Sequence, residues 1–368
     1  MYNQCVQMRE TEFRILDTLS RDIGNPGSIR KITEKINGIH GSAHYPGVYS
    51  KIQELAKKKI IHIDKYGKSS VASLNFGNPL LIDSLAQVEL IGKVRFLEGR
   101  RDWQTLILQL GGYLREYGTI GSILMITPET NARLNRSEFF ILLRSHENKK
   151  ELAGIRKTMG LLQRIHNIRI DCLMLDEASF GSLLRREDYN PVKGMMSDKI
   201  AIFCPQTFWL VIKNLLDRGI RVKVQEEPVL PTRISQQDIA FNLARFGYKE
   251  MGVDIVQGKP IGIEHLAASI LIKKDSIRRL EAIPIIFAKN TDSINCNLLV
   301  FLASKFKVTR QLYMILKILD AVRPTKEVKQ IMGEIKEEAV QKTAKDQRTV
   351  VLNLKEMTRK MRLYNAIE

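Results

Sequence analysis

The sequence predicts a multidomain α+β protein: helices closed by a hairpin, then a small mixed-sheet α/β region, then a mainly helical C-terminal region. Three observations predict it. At 368 residues the chain exceeds the size at which one core stays compact, so two or three domains are expected. Apolar residues recur at helical spacing near both ends, whereas in the middle helical stretches alternate with short apolar runs. A segment with two prolines and no helical period, EEPVLPT at 226–232, separates the middle from the remainder. The expected domains are therefore residues 1–100, 101–225 and 226–331, followed by a charged helix or tail at 332–368.

Charge narrows the partners. Lys and Arg outnumber Asp and Glu by 58 to 40, a net charge of +18. Such an excess favours polyanions, because each phosphate contacted releases condensed counterions. The four cysteines (Cys5, Cys172, Cys204, Cys296) are scattered, and neither C-x-x-C nor H-E-x-x-H occurs. Free thiols and no zinc, or any other cofactor, are expected. No apolar run reaches about 18 residues, and MYNQCVQMRETE lacks a signal peptide's apolar stretch. The expectation is a cytoplasmic protein with no membrane partner. A P-loop, a G-x-G-x-x-G after a strand and a G-x-S-x-G elbow are all missing from the sequence.

Within the first domain, Phe13, Ile15, Leu16, Leu19 and Ile23 predict a helix from Thr11 to Ile23. GNPG at 24–27 ends it, and Ser28 is placed to cap a second helix carrying Ile29, Ile32 and Ile36 inward. That helix stops at Gly38, and GIHGSAHYPG forms a turn. A third helix, from about Val48 to Lys59, faces the core with Val48, Ile52 and Leu55. Its other face offers Tyr49, Ser50, Lys51 and Gln53, types suited to phosphates and base edges. Two strand-like segments follow, IIHID and SVASLN, joined by the basic turn Lys65-Tyr66-Gly67-Lys68.

Three helices followed by a basic hairpin, from Thr11 to about Asn78, resemble the winged helix-turn-helix family. The resemblance implies that the third helix enters the major groove of double-stranded DNA while the hairpin reaches adjacent phosphates. The contacts it implies are Tyr49, Ser50, Lys51, Gln53, Lys57, Lys58, Lys65 and Lys68. Winged helices also serve as protein-binding modules, and Lys57, Lys58 and Lys59 also read as a solvated helix end favourable to the dipole. A further helix, Leu80 to Leu97, carries the stripe Leu81, Leu85, Val88, Ile91 and Val94. This stripe either completes the core or pairs with a second copy, and a homodimer would place two reading helices about one DNA turn apart.

The middle domain reads helix (TLILQLGGYLREYG), strands (GSILMIT, FFILLR), helix (ELAGIRKTMGLLQRIHN), strand (IRIDCLML), helix (ASFGSLLRRE), strand (KIAIF) and helix (QTFWLVIKNLLDRG). This order is similar to the nucleotidyltransferase fold. Active members carry Gly-Ser after a strand, an Asp-x-Asp pair opening the next, and a third Asp on a later strand, all serving two Mg²⁺ ions. Laid on this chain, Gly-Ser falls on Ile126 and Thr127 and the preceding Ser on Ser137. The first Asp falls on Glu138, the second on Phe140 and the third on Asp171. Phe140 cannot ligate a metal, so the resemblance implies a pseudo-enzyme with no catalytic residues. The alternatives are a nucleotidyltransferase served by Glu138 and Asp171 alone, or an unrelated α/β domain in which SEFFILLR is a buried strand. The charge pairs Asp176-Glu177 and Arg185-Arg186 read as solvated surface.

Beyond the linker, QQDIAFNLARFGY, GIEHLAASILI, residues 276–289, CNLLVFLASKF and TRQLYMILKILDAV each show helical stripes. Met332 to Glu368 mixes charges of both signs and reads as a long exposed helix or a partly mobile tail. Its run Arg359-Lys360-Met361-Arg362 is a solvated face or an additional phosphate contact. The function expected from these readings is a DNA-binding transcriptional regulator, with the middle and C-terminal regions sensing a ligand or assembling.

Overall fold

The computed structural model describes residues 8–67, 69–126, 136–145, 148–222, 229–250, 257–341 and 352–367. It is a mixed α+β protein of two compact units: residues 1–185 with 192–227, and residues 186–191 with 228–368. Among the described residues, no helix is long and apolar enough to cross a membrane.

The first unit opens with α1 (Glu10–Arg21), β1 (Gly27–Ser28), α2 (Ile29–His40), α3 (Tyr45–Lys57) and a hairpin of β2 (Ile61–Tyr66) and β3 (Ser69–Leu74). β3 is central and antiparallel to both β1 and β2. Apolar side chains at helical spacing close its core: Ile15, Leu16, Ile36, Ile52 and Leu55 are at most 1% exposed. The Ser28 hydroxyl accepts from Lys31 N at 3.2 Å and caps α2, satisfying one of the donors that a helix start leaves open. α3 begins three residues before Val48 because Pro46 sits in its first turn, where a missing N–H costs no helical bond. Past its end, Lys59 takes a left-handed conformation at φ 57°. Amide groups of Asn75 and Asn78 bond the carbonyls of Lys58 and Lys59 at 2.7–3.1 Å and hold that turn.

α4 (Pro79–Leu97) buries Leu81, Leu85 and Val88 but leaves Val94 68% exposed, so only part of the expected stripe is core. Toward its end Phe96 is buried edge-on against Trp103 at 5.4 Å between ring centroids. The unit continues through α5 (Arg101–Leu114), β4 (Ile120–Ile126), β5 (Arg136–Leu143), α6 (Lys149–Ile165), β6 (Arg169–Asp176), α7 (Glu177–Arg185), α8 (Pro191–Ser197), β7 (Lys199–Phe203) and α9 (Pro205–Asp217). The sheet runs β6-β5-β4-β7, with β5 and β6 parallel and the other pairs antiparallel. One face packs Ile123, Phe139 and Ile141 against Trp103 and Leu110 of α5 and Ile155 of α6. On the other, Phe140 meets Phe180 of α7 at 5.3 Å between ring centroids.

β7 is an edge strand, and α4 covers it. The Glu89 carboxylate accepts from Ala201 N at 2.9 Å, and Lys93 Nζ donates to the Ile202 carbonyl at 3.1 Å. One helical turn thus satisfies edge groups that would otherwise invite another strand. Because α4 also packs on α1, it belongs to both halves of the first unit, and the expected boundary after residue 100 is bridged by it.

The second unit contains α10 (Gln236–Arg245), α11 (Ile263–Lys273), α12 (Ile277–Lys289), α13 (Cys296–Lys305), α14 (Thr309–Val322), α15 (Lys326–Gln341) and α16 (Leu354–Leu363). Their core includes Leu266, Ile270, Ile283, Ile286, Leu312, Leu316 and Ile335. Two expectations are corrected here. The tail from residue 332 is not a solvated helix, because Ile335, Met357 and Met361 are at most 1% exposed and Tyr364 stacks on Tyr248 at 4.7 Å. Within its basic run, Lys360 pairs with Glu281 at 2.7 Å. Nor is Arg186 solvated: it binds Glu264 at 2.9 Å and Asp188 at 3.1 Å, and Glu264 is fully buried. The described end of the proline segment is also anchored. His265, Ser269 and Lys273, at successive turns of α11, bond the carbonyls of Val229, Pro231 and Ile234.

Candidate nucleic-acid interface

The amphipathic pattern of α3 decides which side chains leave the core. Val48, Ile52 and Leu55 point inward at 0–2% exposure. Tyr45, Tyr49, Ser50 and Lys57 are exposed, and Gln53 is half-buried. Tyr45 and Tyr49, one turn apart, bring their rings to 6.0 Å. Lys51 corrects the sequence reading: it is only 9% exposed, and its amine lies 2.5 Å from Glu54. The same carboxylate pairs with Lys58 at 3.1 Å. Hydrogen bonds from Lys51 and then Lys58 draw the Glu54 carboxyl down to about 2. Lys51 and Lys58 therefore spend charge within the helix, while Lys57 projects outward.

The turn before α3 is braced from α1 and α2. Arg14 donates to the Ser42 carbonyl at 2.6 Å, and the Asn37 side chain accepts from Ala43 N. His40 Nε2 lies 3.1 Å from the Asp17 carboxylate and its ring meets Phe13 edge-on at 5.7 Å. Burial alone would raise Asp17, but hydrogen bonds from His40 and Arg21 outweigh it and hold the carboxyl below its usual range. At the hairpin tip Lys65 and Tyr66 are exposed, Tyr66 at 68%, and Gly67 takes the positive φ of 59° that the turn requires. Lys68 lies outside the described residues. Sequence reasoning missed Tyr45 and Tyr66 as companions of the lysines, although the i, i+4 spacing of Tyr45 and Tyr49 was a readable signal. From residue 28 to 68, nine Lys and Arg accompany three acids, Glu34, Glu54 and Asp64. Ammonium groups, tyrosine hydroxyls and an amide on one helix and one turn can bond phosphate oxygens and base edges.

The residues on which the nucleotidyltransferase pattern was laid are brought together in part. Glu138 and Asp171 are register partners on the parallel strands β5 and β6, so their side chains share a face of the sheet. So do Arg136 and Arg169, two residues earlier on each strand. Arg136 Nε and Arg169 Nε reach the Asp171 carboxylate at 2.8 and 3.1 Å, and Arg136 Nη2 lies 3.5 Å from Glu138. Asp171 is 4% exposed. The repeated Arg-x-acid spacing was legible in the sequence as two same-face pairs, and it was overlooked. Phe140 is fully buried against Phe180, Ser137 is 3% exposed, and Ile126 ends β4 opposite Lys199. Thr127 lies outside the described residues. Among the described residues, no three His, Cys, Asp or Glu side chains converge to hold a metal ion.

Comparison with protein-family models, curated proteins and solved structures finds no match to this chain.

Proposed function

We propose that the N-terminal part of the first unit is a winged helix that binds duplex DNA, and that the protein is a transcriptional regulator. The carrying observation is the order α1-β1-α2-α3-β2-β3 with β3 central, joined to an α3 whose outward face is Tyr45, Tyr49, Ser50 and Lys57. That order is the layout of the winged helix-turn-helix family, with α3 as the reading helix and the Lys65-Tyr66 turn as the wing. A homodimer belongs to the same proposal. Through α4 it would use Leu90 and Val94, exposed by 45% and 68%, and sedimentation velocity decides it.

The remainder of the first unit is proposed as a nucleotidyltransferase-like domain without catalysis, used for ligand sensing or assembly. Two guanidiniums on Asp171 supply the countercharge that Mg²⁺ would otherwise provide, and Phe140 replaces a carboxylate with an aromatic core contact. The adjacency of Glu138 and Asp171 favours a second reading, residual nucleotidyl transfer. Labelled nucleotide with Mg²⁺ or Mn²⁺ and candidate acceptors tests it, and transfer abolished by Glu138→Ala would establish it.

Duplex binding measured by fluorescence anisotropy across a salt series tests the main proposal. Affinity is expected to fall steeply with salt, at about 0.9 in log–log slope per phosphate contacted. Lys57→Gln with Lys65→Gln is expected to weaken binding and shorten that slope by about 2. A flat salt dependence, or a variant that binds as the wild type does, would overturn the proposal.

A further inference from the structure

We propose that the exposed face of α6 is a second phosphate-contacting surface for the same duplex. This inference rests on the reading of the first unit as a duplex binder. Lys150, Lys157 and Arg164 recur every seven residues of α6 and are exposed. Seven residues are close to two turns, so these cations form a line with about 10 Å between successive members. Lys149 stands beside the first of them. Among the described residues, Lys150, Lys157 and Arg164 are in no ion pair, in contrast to Lys51 and Lys58 on α3. The helix's one carboxylate, Glu151, turns away: it accepts from Thr119 N at 2.9 Å, Thr119 Oγ1 at 2.7 Å and Asn148 Nδ2 at 2.8 Å.

The backbone on this face is also approachable. Between the cations stand Ala153 and Gly160, and a Cβ at Gly160 would meet no atom within 4 Å. Packing gives no reason for that glycine, whereas Gly154 is explained by the Tyr117 ring, 2.8 Å from where its Cβ would lie. The opposite face of α6, Leu152, Ile155, Met159 and Leu162, is buried in the sheet core, so the cations are carried on a fixed helix. That burial also argues against a membrane partner, which would need the apolar face exposed. Of the large apolar side chains of α6, Leu161 and Ile165, at its C-terminal end, are the exposed ones. A line of cations with no ion-pair partner among the described residues, set beside small residues, suits a phosphate backbone, which carries one charge per about 1.7 Å of duplex.

The test uses the full chain, a labelled duplex of about 30 base pairs, long enough for contacts beyond one reading helix, and the variant Lys150→Gln/Lys157→Gln/Arg164→Gln. A thermal melt confirms that the variant folds. Its salt slope is expected to be shallower than wild type by about 3, with affinity lower throughout. A control with the same charge loss in the second unit, Lys329→Gln/Lys336→Gln/Lys355→Gln, is expected to keep the wild-type slope. An unchanged slope in the α6 variant, an equal loss in the control, or capture by anionic vesicles but not by duplex would overturn the inference. If Lys57→Gln/Lys65→Gln binds normally while the α6 variant loses slope, the winged-helix reading falls and this one stands. If the wild type binds no duplex, both fall.

Discussion

Glu89 carries an unusual share of the first unit's integrity. It is 6% exposed on α4, accepts from Ala201 N on β7 at 2.9 Å, and lies 3.4 Å from Lys199 Nζ. The Lys199 side chain is 2% exposed and its ammonium sits over the rings of Phe208 and Trp209 at 5.3 and 4.7 Å. Glu89→Ala would leave that ammonium buried without its countercharge, at a cost of about 3–5 kcal/mol. It would also orphan the Ala201 N–H, worth about 1–3 kcal/mol. The two losses share one site and do not add fully, so about 4 kcal/mol is expected for the single variant. Glu89→Leu with Lys199→Met removes both charges and leaves the orphaned N–H and the Met196 carbonyl that Lys199 Nζ reaches at 3.4 Å, so about 1–2 kcal/mol is expected. Both tryptophans, Trp103 and Trp209, lie in the first unit and are buried. Urea unfolding followed by tryptophan fluorescence therefore reads this unit directly. A single variant costing under about 1 kcal/mol, or a double variant as damaged as the single, would refute the buried-pair argument.

Two further outcomes follow from the same geometry. Burial depresses His265 to about 4, so the folded second unit favours the neutral ring. Its contribution is complete above the unfolded value near 6.5 and is lost as pH falls toward 4, by up to about 3 kcal/mol. Unfolding followed by circular dichroism across that window should show the slope, and His265→Gln should flatten it; an unchanged slope would contradict the assignment. On α6, Gly160→Ala should stabilise by about 0.5–1 kcal/mol through helix propensity, whereas Gly154→Ala, whose methyl would strike Tyr117, should destabilise by about 1–3 kcal/mol. Thermal melts of the pair should move in opposite directions, and equal shifts would argue against the packing described.

The helices of the N-terminal part were legible because their apolar spacing and the Ser28 cap are local signals. Lys51 was misplaced for a reason that spacing hides: a long side chain can lie along the helix to reach Glu54 and cover itself. β1 was missed because two residues, Gly27 and Ser28, carry no alternation, and their strand character comes from pairing with Ala72 and Val71. The role of α4 was illegible, since Glu89 and Lys93 meet partners more than a hundred residues away. Met357 and Met361 sit in a segment too charged to look like core, yet two side chains at i, i+4 suffice to seat α16. In the middle domain, Glu138 and Asp171 were placed by spacing alone. Arg136 and Arg169 stand two residues before them on their own strands and were readable from spacing, whereas the cross-strand contact of Arg136 with Asp171 needed the β5–β6 register, which sequence does not reveal.

The most direct test of duplex binding by α3 and the hairpin is lysine acetylation footprinting, with and without duplex, read residue by residue by mass spectrometry. Lys57 and Lys65, exposed on the proposed face, should react freely alone and be protected by duplex. Lys51, covered and paired with Glu54, should react poorly in both states. Full reactivity of Lys57 and Lys65 under saturating duplex would contradict the account, wherever else protection appeared.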